Sequence, residues 1–491
     1  MKILEKYKIN LDFISADVEI VDRGDFVSYY EIKLPKLERG TEILKEEIKE
    51  KLISKIPIRE NLDKEAYEKL KNEIFLQAKE EIKKLIKIKE SDANYLANLI
   101  TIEMIGSGII DLLIEDPNLE EIAINNSKEP IWVYHKKFGW LKTNIYLKNE
   151  QEIYNIASII GRRVGRQINI LNPLMDAYLL SGDRVNATLY PISSFGNTIT
   201  IRKFRRNPWT VIDFINNKTI SLDAAAFLWQ SVQYELNIII AGGTGSGKTS
   251  LLNVILEFIP PNQRIVSIED TRELSISSFH HWVPLVTRAA SAEGKGEIKM
   301  LDLLVNSLRM RPDRIVVGEI RRAEEAEVLF EAMHTGHSVY ATLHAETAEQ
   351  AYRRLTHEPI NVPETLMESL HLFAVMFRER RKGIRRLLQI SEVAPFLPQK
   401  VNDLYRWDAK IDEIKKANES LRIHEELELF TGLSKKEQLD DLEEKKKILK
   451  WMIENDLNGT ENIGKIIALY YRNREEVLNA LNNKKSPKIF L

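Results

Sequence analysis

Residues 242–249 read Gly-Gly-Thr-Gly-Ser-Gly-Lys-Thr, the spacing G-x-x-x-x-G-K-[ST] of a phosphate-binding loop. Asn237-Ile-Ile-Ile-Ala precedes the loop and Ser250-Leu-Leu-Asn-Val-Ile-Leu follows it, which gives strand, loop and helix in the required order. Glycines let successive backbone N–H groups turn toward one anion, and the helix N-terminus adds the positive end of its dipole. Gly243, Thr244, Gly245, Ser246, Gly247, Lys248, Thr249 and Ser250 are therefore the expected nucleotide-binding residues, with Lys248 as the point charge on the β- and γ-phosphates. The alternative is a glycine turn that merely joins a strand to a helix, and the correct flanking elements argue against it. ATP is the expected ligand. What its hydrolysis would drive is not written in the loop.

Hydrolysis needs a held Mg²⁺, a base for the attacking water and positive charge on the departing γ-phosphoryl. The hydroxyl of Thr249 supplies the metal's first ligand. The apolar run Arg314-Ile-Val-Val-Gly-Glu-Ile-Arg ends in Glu319, which is expected to hold Mg²⁺ directly or through water. A second run, Ile265-Val-Ser-Ile-Glu-Asp, delivers Glu269 and Asp270 to the carboxyl edge of a sheet, where ligands bind in open α/β folds. Glu269 is the candidate base; alone, such a pair would read as a helix cap or surface charge. Residues 334–344 hold three of the nine histidines, with His344 at the end of the run Ser338–Leu343. No zinc-ligand spacing is matched there, so a γ-phosphate sensor or a hydrogen-bonding cluster is the better reading.

Positioning these residues takes a large scaffold. At 491 residues, with roughly 100–200 residues per domain, two to four domains are expected. Lys and Arg total 71 against 73 Asp and Glu, which disfavours nucleic acid as a partner. No apolar run approaches the roughly 20 residues that span a bilayer, and Met1-Lys-Ile-Leu-Glu-Lys lacks a signal-peptide core, so a cytoplasmic location is expected. The absence of cysteine removes disulfides, thiolate zinc sites and cysteine nucleophiles.

Along the chain, residues 1–40 read as short strands and 43–89 as two amphipathic helices. Leu44, Ile48, Leu52 and Ile56 form one apolar stripe, and Tyr67, Leu70, Ile74, Ala78, Ile82 and Leu85 the other. These stripes fit either packing within the protein or docking of a partner helix. Residues 92–204 mix helices and strands, and Arg205-Arg-Asn-Pro-Trp-Thr is the candidate linker to a parallel α/β domain. Ala292-Glu-Gly-Lys-Gly-Glu reads as a loop, 400–491 as helical, and the basic run Arg378–Arg386 as a hairpin turning at Lys382-Gly383.

Taken in order, the Walker A loop at 242–249, the Asp box Ile268-Glu-Asp-Thr-Arg-Glu, the Walker B run Leu308–Arg321 and the His box at 334–344 resemble the type II/IV secretion ATPases, which power type II secretion, type IV pili, the archaellum and type IV secretion. The resemblance implies an α/β fold with a RecA-like P-loop ATPase domain, a smaller N-terminal α/β domain and helical extensions. It divides the chain into a variable region 1–90, an N-terminal domain 91–205, a linker 206–216, an ATPase core 217–395 and a helical region 396–491. It assigns catalytic roles to Lys248, Glu269, Glu319 and His344, and marks Arg184 and Arg202 as arginines that reach the γ-phosphate; exposed strand arginines are the alternative. It further implies a homohexamer at the inner face of the cell membrane, pushing on a polytopic platform protein. Without the tetracysteine insertion common in bacterial type II ATPases, the chain is more similar to the archaeal pilus and archaellum ATPases. Pilus-like filament assembly is the leading expectation; the alternatives are the archaellum motor, a type IV secretion or DNA-transfer ATPase, and a nucleotide-gated scaffold with negligible turnover.

Overall fold

The computed structural model describes residues 2–491 except 36, 57–63, 180, 205–207, 289 and 291–294 and 380, and the side chains of 64 and 163. The chain divides into two compact units, Met1–Arg205 and Arg206–Leu491.

Among the described residues, the first unit is built on the strands β1 (Lys2–Leu11), β2 (Ile14–Asp22), β3 (Tyr29–Lys33), β4 (Leu119–Ile124), β5 (Trp132–His135), β6 (Gly139–Thr143), β7 (Leu174–Tyr178), β8 (Arg184–Thr188) and β9 (Thr198–Arg202). Their order in the sheet is β1-β2-β3-β6-β5-β4-β9-β8-β7. Period-2 alternation decides which face is buried: Val185, Ala187, Ile199 and Ile201 point into the core, while Arg184 and Arg202 point out. Helices α4 (Ile109–Glu115) and α5 (Glu150–Arg163) belong to this unit, and their Ile110, Leu112, Ile153 and Ile160 lie in the same core. Residues 1–90 do not form a region apart, which corrects the expected division. Strand β3 pairs with β6 (Tyr29↔Lys142), and Tyr7 and Tyr30 both donate to Asp116 Oδ2 at 2.7 Å. Helices α1 (Arg39–Lys55) and α2 (Lys64–Leu85) bury Ile48, Leu52, Ile74, Ala78 and Ile82 against Ala93, Leu96 and Ile100 of α3 (Glu90–Met104), so their central stripes are packing surfaces.

The second unit holds β10 (Ile238–Gly242), β11 (Arg264–Glu269), β12 (His281–Val286), β13 (Arg314–Val317), β14 (Ser338–Leu343), β15 (Leu372–Glu379), β16 (Ile384–Val393), β17 (Val401–Asp408) and β18 (Glu413–Lys416). The order is β12-β11-β13-β14-β10-β15-β16-β17-β18, parallel through β15 and antiparallel beyond it. Ile238 and Ile240 of β10 pack into one core, and Ile239 and Ala241 into another. The parallel sheet is thus covered on both faces, which is why its strands read as continuous apolar runs. Its helices are α6 (Val211–Asn216), α7 (Leu222–Gln233), α8 (Lys248–Leu256), α9 (Met300–Ser307), α10 (Ala323–His334) and α11 (Ala348–Thr356), then α12 (Ile423–Thr431), α13 (Lys435–Glu454), α14 (Thr460–Arg472) and α15 (Arg474–Asn482).

Two further expectations are corrected. Of the linker 206–216, residues 211–216 form α6, closed by a Thr210–Asp213 capping box with Val211, Ile212 and Phe214 buried; 206 and 207 lie outside the described residues. The region 396–491 is not purely helical, because β17 and β18 extend the second unit's sheet before the helices begin. The loop read at 292–297 lies partly outside the described residues. The hairpin at Lys382-Gly383 is present between β15 and β16, with Gly383 at φ +67°. Among the described residues, no single helix is long and apolar enough to cross a membrane.

Candidate nucleotide site

Strands β11, β13, β14 and β10 are adjacent and parallel, so their carboxyl ends open on the same edge. Each delivers one candidate residue there: β11 ends in Glu269, β13 runs into Gly318-Glu319, β14 into His344, and β10 into the glycine loop. The loop turns through Gly245 (φ +70°) and Gly247 (φ +100°), conformations that side chains with a Cβ rarely adopt, and Gly247 caps α8.

Lys248, the first residue of α8, donates from Nζ to the carbonyls of Gly242 and Gly243 at 3.0 and 3.1 Å and lies 3.3 Å from His344 Nδ1. Burial lowers its pKa, and the carboxylates of Glu319 and Glu273 push back. His344 Nε2 lies 3.0 Å from Glu319 Oε1. Burial and then the charge of Lys248 lower the His344 pKa, so the ring is neutral at pH 7. Its neighbours fix the tautomer: Nδ1 accepts from the ammonium and Nε2–H donates to the carboxylate. A neutral imidazole therefore bridges the site's main cation and main anion.

The other oxygen of Glu319, Oε2, is held by Arg321, with Nε at 2.8 Å and Nη2 at 2.6 Å. Arg321 Nη1 also reaches Asp270 Oδ2 at 2.5 Å. Burial pulls the Arg321 pKa down, but the bond and charge of Glu319 outweigh it and the net shift is upward. Glu269 is 2% exposed, and its Oε1 accepts from the backbone N–H groups of Glu273 and Leu274 at 2.8 and 3.0 Å. Its Oε2 is buried with no hydrogen-bond partner among the described residues. Burial pushes this carboxyl up to about 7 against those two bonds, the range of a general base poised near neutrality. Gly318 N–H donates to Ile268 O at 2.9 Å, and a Cβ on Gly318 would sit 3.4 Å from Glu269 Cγ, so the two acidic strand ends are in contact.

The donor set suits a hard divalent cation. Thr249 and Glu319 offer oxygen ligands, and no cluster of three or more His, Cys, Asp or Glu among the described residues could hold an ion unaided. Mg²⁺ prefers such a site, with one or two protein oxygens and the rest of its shell from phosphate and water.

The structure thus brings Lys248, Thr249, Glu269, Glu319 and His344 to one sheet edge. His334 and His337 lie at the other end of β14, where His337 Nδ1 is 3.3 Å from Ala332 O. Arg184 and Arg202 belong to the first unit, where they are cross-strand partners; Arg184 makes a two-point pair with Asp176 at 3.0 and 2.6 Å. Two residues were not assigned from sequence. Arg321 follows Glu319 by two positions in the same motif, which is the signal that could have found it. Arg385, whose Nε donates to Gly245 O at 3.0 Å, sits in the basic run read only as a hairpin tip.

A family model described as type II/IV secretion system protein matches residues 180–377, a span that contains every candidate above except Arg385. An uncharacterized protein of Methanocaldococcus jannaschii is 35% identical over 396 residues, covering 79% of this chain and 71% of that one. The type IV secretion system protein PtlH of Bordetella pertussis is 30% identical over 303 residues, covering 55% of this chain and 88% of the other. Among solved structures, the Legionella pneumophila ATPase DotB is 20% identical with a TM-score of 0.42, covering 70% of this chain and 88% of that one.

Proposed function

The chain belongs to the type II/IV secretion system ATPase family, and on that premise we propose that it is a Mg²⁺-dependent ATP hydrolase that works as a homohexamer and powers assembly of an archaeal type IV pilus-like filament through a polytopic membrane platform protein. The observation that supports the catalytic part most directly is the convergence of Lys248, Glu269, Glu319 and His344 on the carboxyl edge of one parallel sheet.

In this reading the backbone N–H groups of 243–249 and the Lys248 ammonium take the triphosphate, and Lys248 exchanges the Gly242 and Gly243 carbonyls for phosphate oxygens. Thr249 and Glu319 would hold Mg²⁺, which when bound neutralises charge on the phosphates. Glu269, deprotonated, takes the proton of the attacking water. His344 fixes Lys248 and Glu319 relative to one another and follows the γ-phosphate. Arg184 and Arg202 add positive charge to the departing phosphoryl group. Filament assembly, the membrane-face location and the platform partner rest on likeness to the archaeal pilus branch.

Phosphate release and fluorescent-ATP binding test the enzyme. Glu319→Gln should keep ATP binding and lose on the order of 100-fold in turnover, while Lys248→Ala should lose binding as well. Unchanged turnover in either variant would end the catalytic reading. In cells, deletion should remove thin surface filaments and leave swimming intact, with the filaments restored by the wild-type gene and not by Lys248→Ala. Loss of swimming would mean an archaellum motor. Likeness to PtlH supports type IV secretion as the second reading, which predicts lost secretion with filaments intact.

A further inference from the structure

The basic run Arg378–Arg386 lies where a phosphate site could use it. Strand β15 pairs parallel with β10 on the side opposite β14, and its register sets Gly242 across from Met376. The next residues of β15 therefore run beside the phosphate loop. Arg378 and Arg385 face each other directly across the β15–β16 ladder. Arg385 Nε donates to Gly245 O at 3.0 Å, and a Cβ built on Gly247 would meet Arg385 Cδ at 3.6 Å. A Cβ on Gly245 would come within 2.7 Å of Arg378 Nη1. Both left-handed turns of the loop thus carry an arginine against them.

Like charges directly opposite in a ladder are a place where a bound anion lying between them would be favoured. Arg386 shows what a structural arginine looks like in the same hairpin. It is buried, forms a two-point pair with Asp412 at 2.7 and 2.8 Å, and donates to Asn217 O at 3.2 Å. Arg378 and Arg385 lie against the phosphate loop, a turn whose N–H groups are built for an anion, and a guanidinium binds phosphate through parallel N–H bonds.

We propose that Arg378 and Arg385 are binding residues for the β-phosphate of ATP and ADP, forming a second cationic wall of the nucleotide site across the loop from the Lys248–His344–Glu319 side. This rests on the nucleotide reading above and adds to it a pair of arginines from the ATPase unit itself, distinct in position and task from Arg184 and Arg202. Two arginines on the β-phosphate hold ADP as firmly as ATP, so they act on product release as well as on substrate capture.

Equilibrium binding of fluorescent ADP and ATP to the full chain, at low and high KCl, tests this with Arg378→Gln, Arg385→Gln and the double variant. Each single change should weaken both nucleotides about tenfold, a typical worth for a charge-assisted contact, and the double variant should lose much of the salt dependence. Arg→Lys at each position should restore the salt dependence but only part of the affinity, because charge returns without the planar fork. The Lys variants also carry the test if a Gln variant does not fold. Unchanged ADP affinity in the double variant overturns the proposal, as does a loss confined to ATP. A loss of affinity with wild-type salt dependence overturns it too, by making the arginines mere supports of the loop. Failure of the wild-type protein to bind either nucleotide overturns this proposal and the nucleotide reading together.

Discussion

Glu269 and Glu319 carry the same functional group, and their surroundings give them opposite tasks. Glu319 is clasped by Arg321 and His344, the setting of a carboxylate turned toward cations. Glu269 is buried with one oxygen unpartnered among the described residues, and burial outweighs its two backbone bonds and lifts it to about 7. A base works only when deprotonated, so turnover should rise with pH through about 7 rather than through the ordinary carboxylate range near 4.3. The pH dependence of kcat checks this. Glu269→Gln should remove the limb along with on the order of 100-fold or more in rate, and a limb that persists in that variant belongs to another group. That Lys248, Thr249, Glu269, Glu319 and His344 meet at one sheet edge was legible because each lies in a motif that follows an apolar strand run. Arg385 was not, because its contact with Gly245 spans 140 residues and depends on which strand neighbours β10. The raised pKa of Glu269 was equally invisible, since burial is a property of the folded neighbourhood.

Helix α8 begins in the phosphate loop, and the residue that caps its far end, Glu257, ties it to the C-terminal helices. Glu257 accepts from Ser277 N–H at 2.8 Å and from Ser277 Oγ at 2.6 Å, while Ser278 N–H donates to Glu461 at 2.7 Å. Gly464 of α14 closes over this contact: a Cβ there would lie 2.4 Å from Ser277 Oγ and 2.5 Å from Glu257 Oε2. Gly464→Ala should therefore destabilise the protein by about 1–3 kcal/mol, read as a lower denaturation midpoint, even though alanine is the better helix former. Burial pushes Glu257 up to about 7 as well. Between the unfolded value of 4.5 and about 7, the folded chain holds a proton that the unfolded chain releases, so stability should fall as pH rises across that window. The slope is at most about 1.4 kcal/mol per pH unit for each such carboxyl, and Glu269 contributes with the same sign. The helical character of α13, whose Ile448, Leu449 and Met452 enter the core with Leu442 packed against it, was readable from its sequence, whereas β17 and β18 were not. Both lie toward the sheet edge, where Glu413, Lys415 and Lys416 keep β18 polar and mask the alternation that marks a strand.

The two units, Met1–Arg205 and Arg206–Leu491, each close their own apolar cores. The break near Pro208 was legible because proline and a change of pattern coincide there. That the first ninety residues join the first unit was not, since the pairing of Tyr29 with Lys142 is fixed only when distant strands meet. The division separates two kinds of positive charge. Lys248, Arg378 and Arg385 lie in the second unit and Arg184 and Arg202 in the first; on the roles proposed above, the former act on binding and the latter on the transition state. A fragment of residues 208–491 should therefore unfold in its own cooperative transition and bind ATP close to the full-length affinity. It should hydrolyse ATP about 10³-fold more slowly, the scale of a missing arginine in other phosphate-loop enzymes. Loss of oligomeric assembly could slow the fragment too, so the full-length Arg184→Gln/Arg202→Gln variant is the companion measurement: it keeps the whole chain and should show the same loss in kcat with ATP binding retained. Full-rate turnover by that variant would remove the two arginines from the mechanism and leave the ATPase unit sufficient for the chemistry.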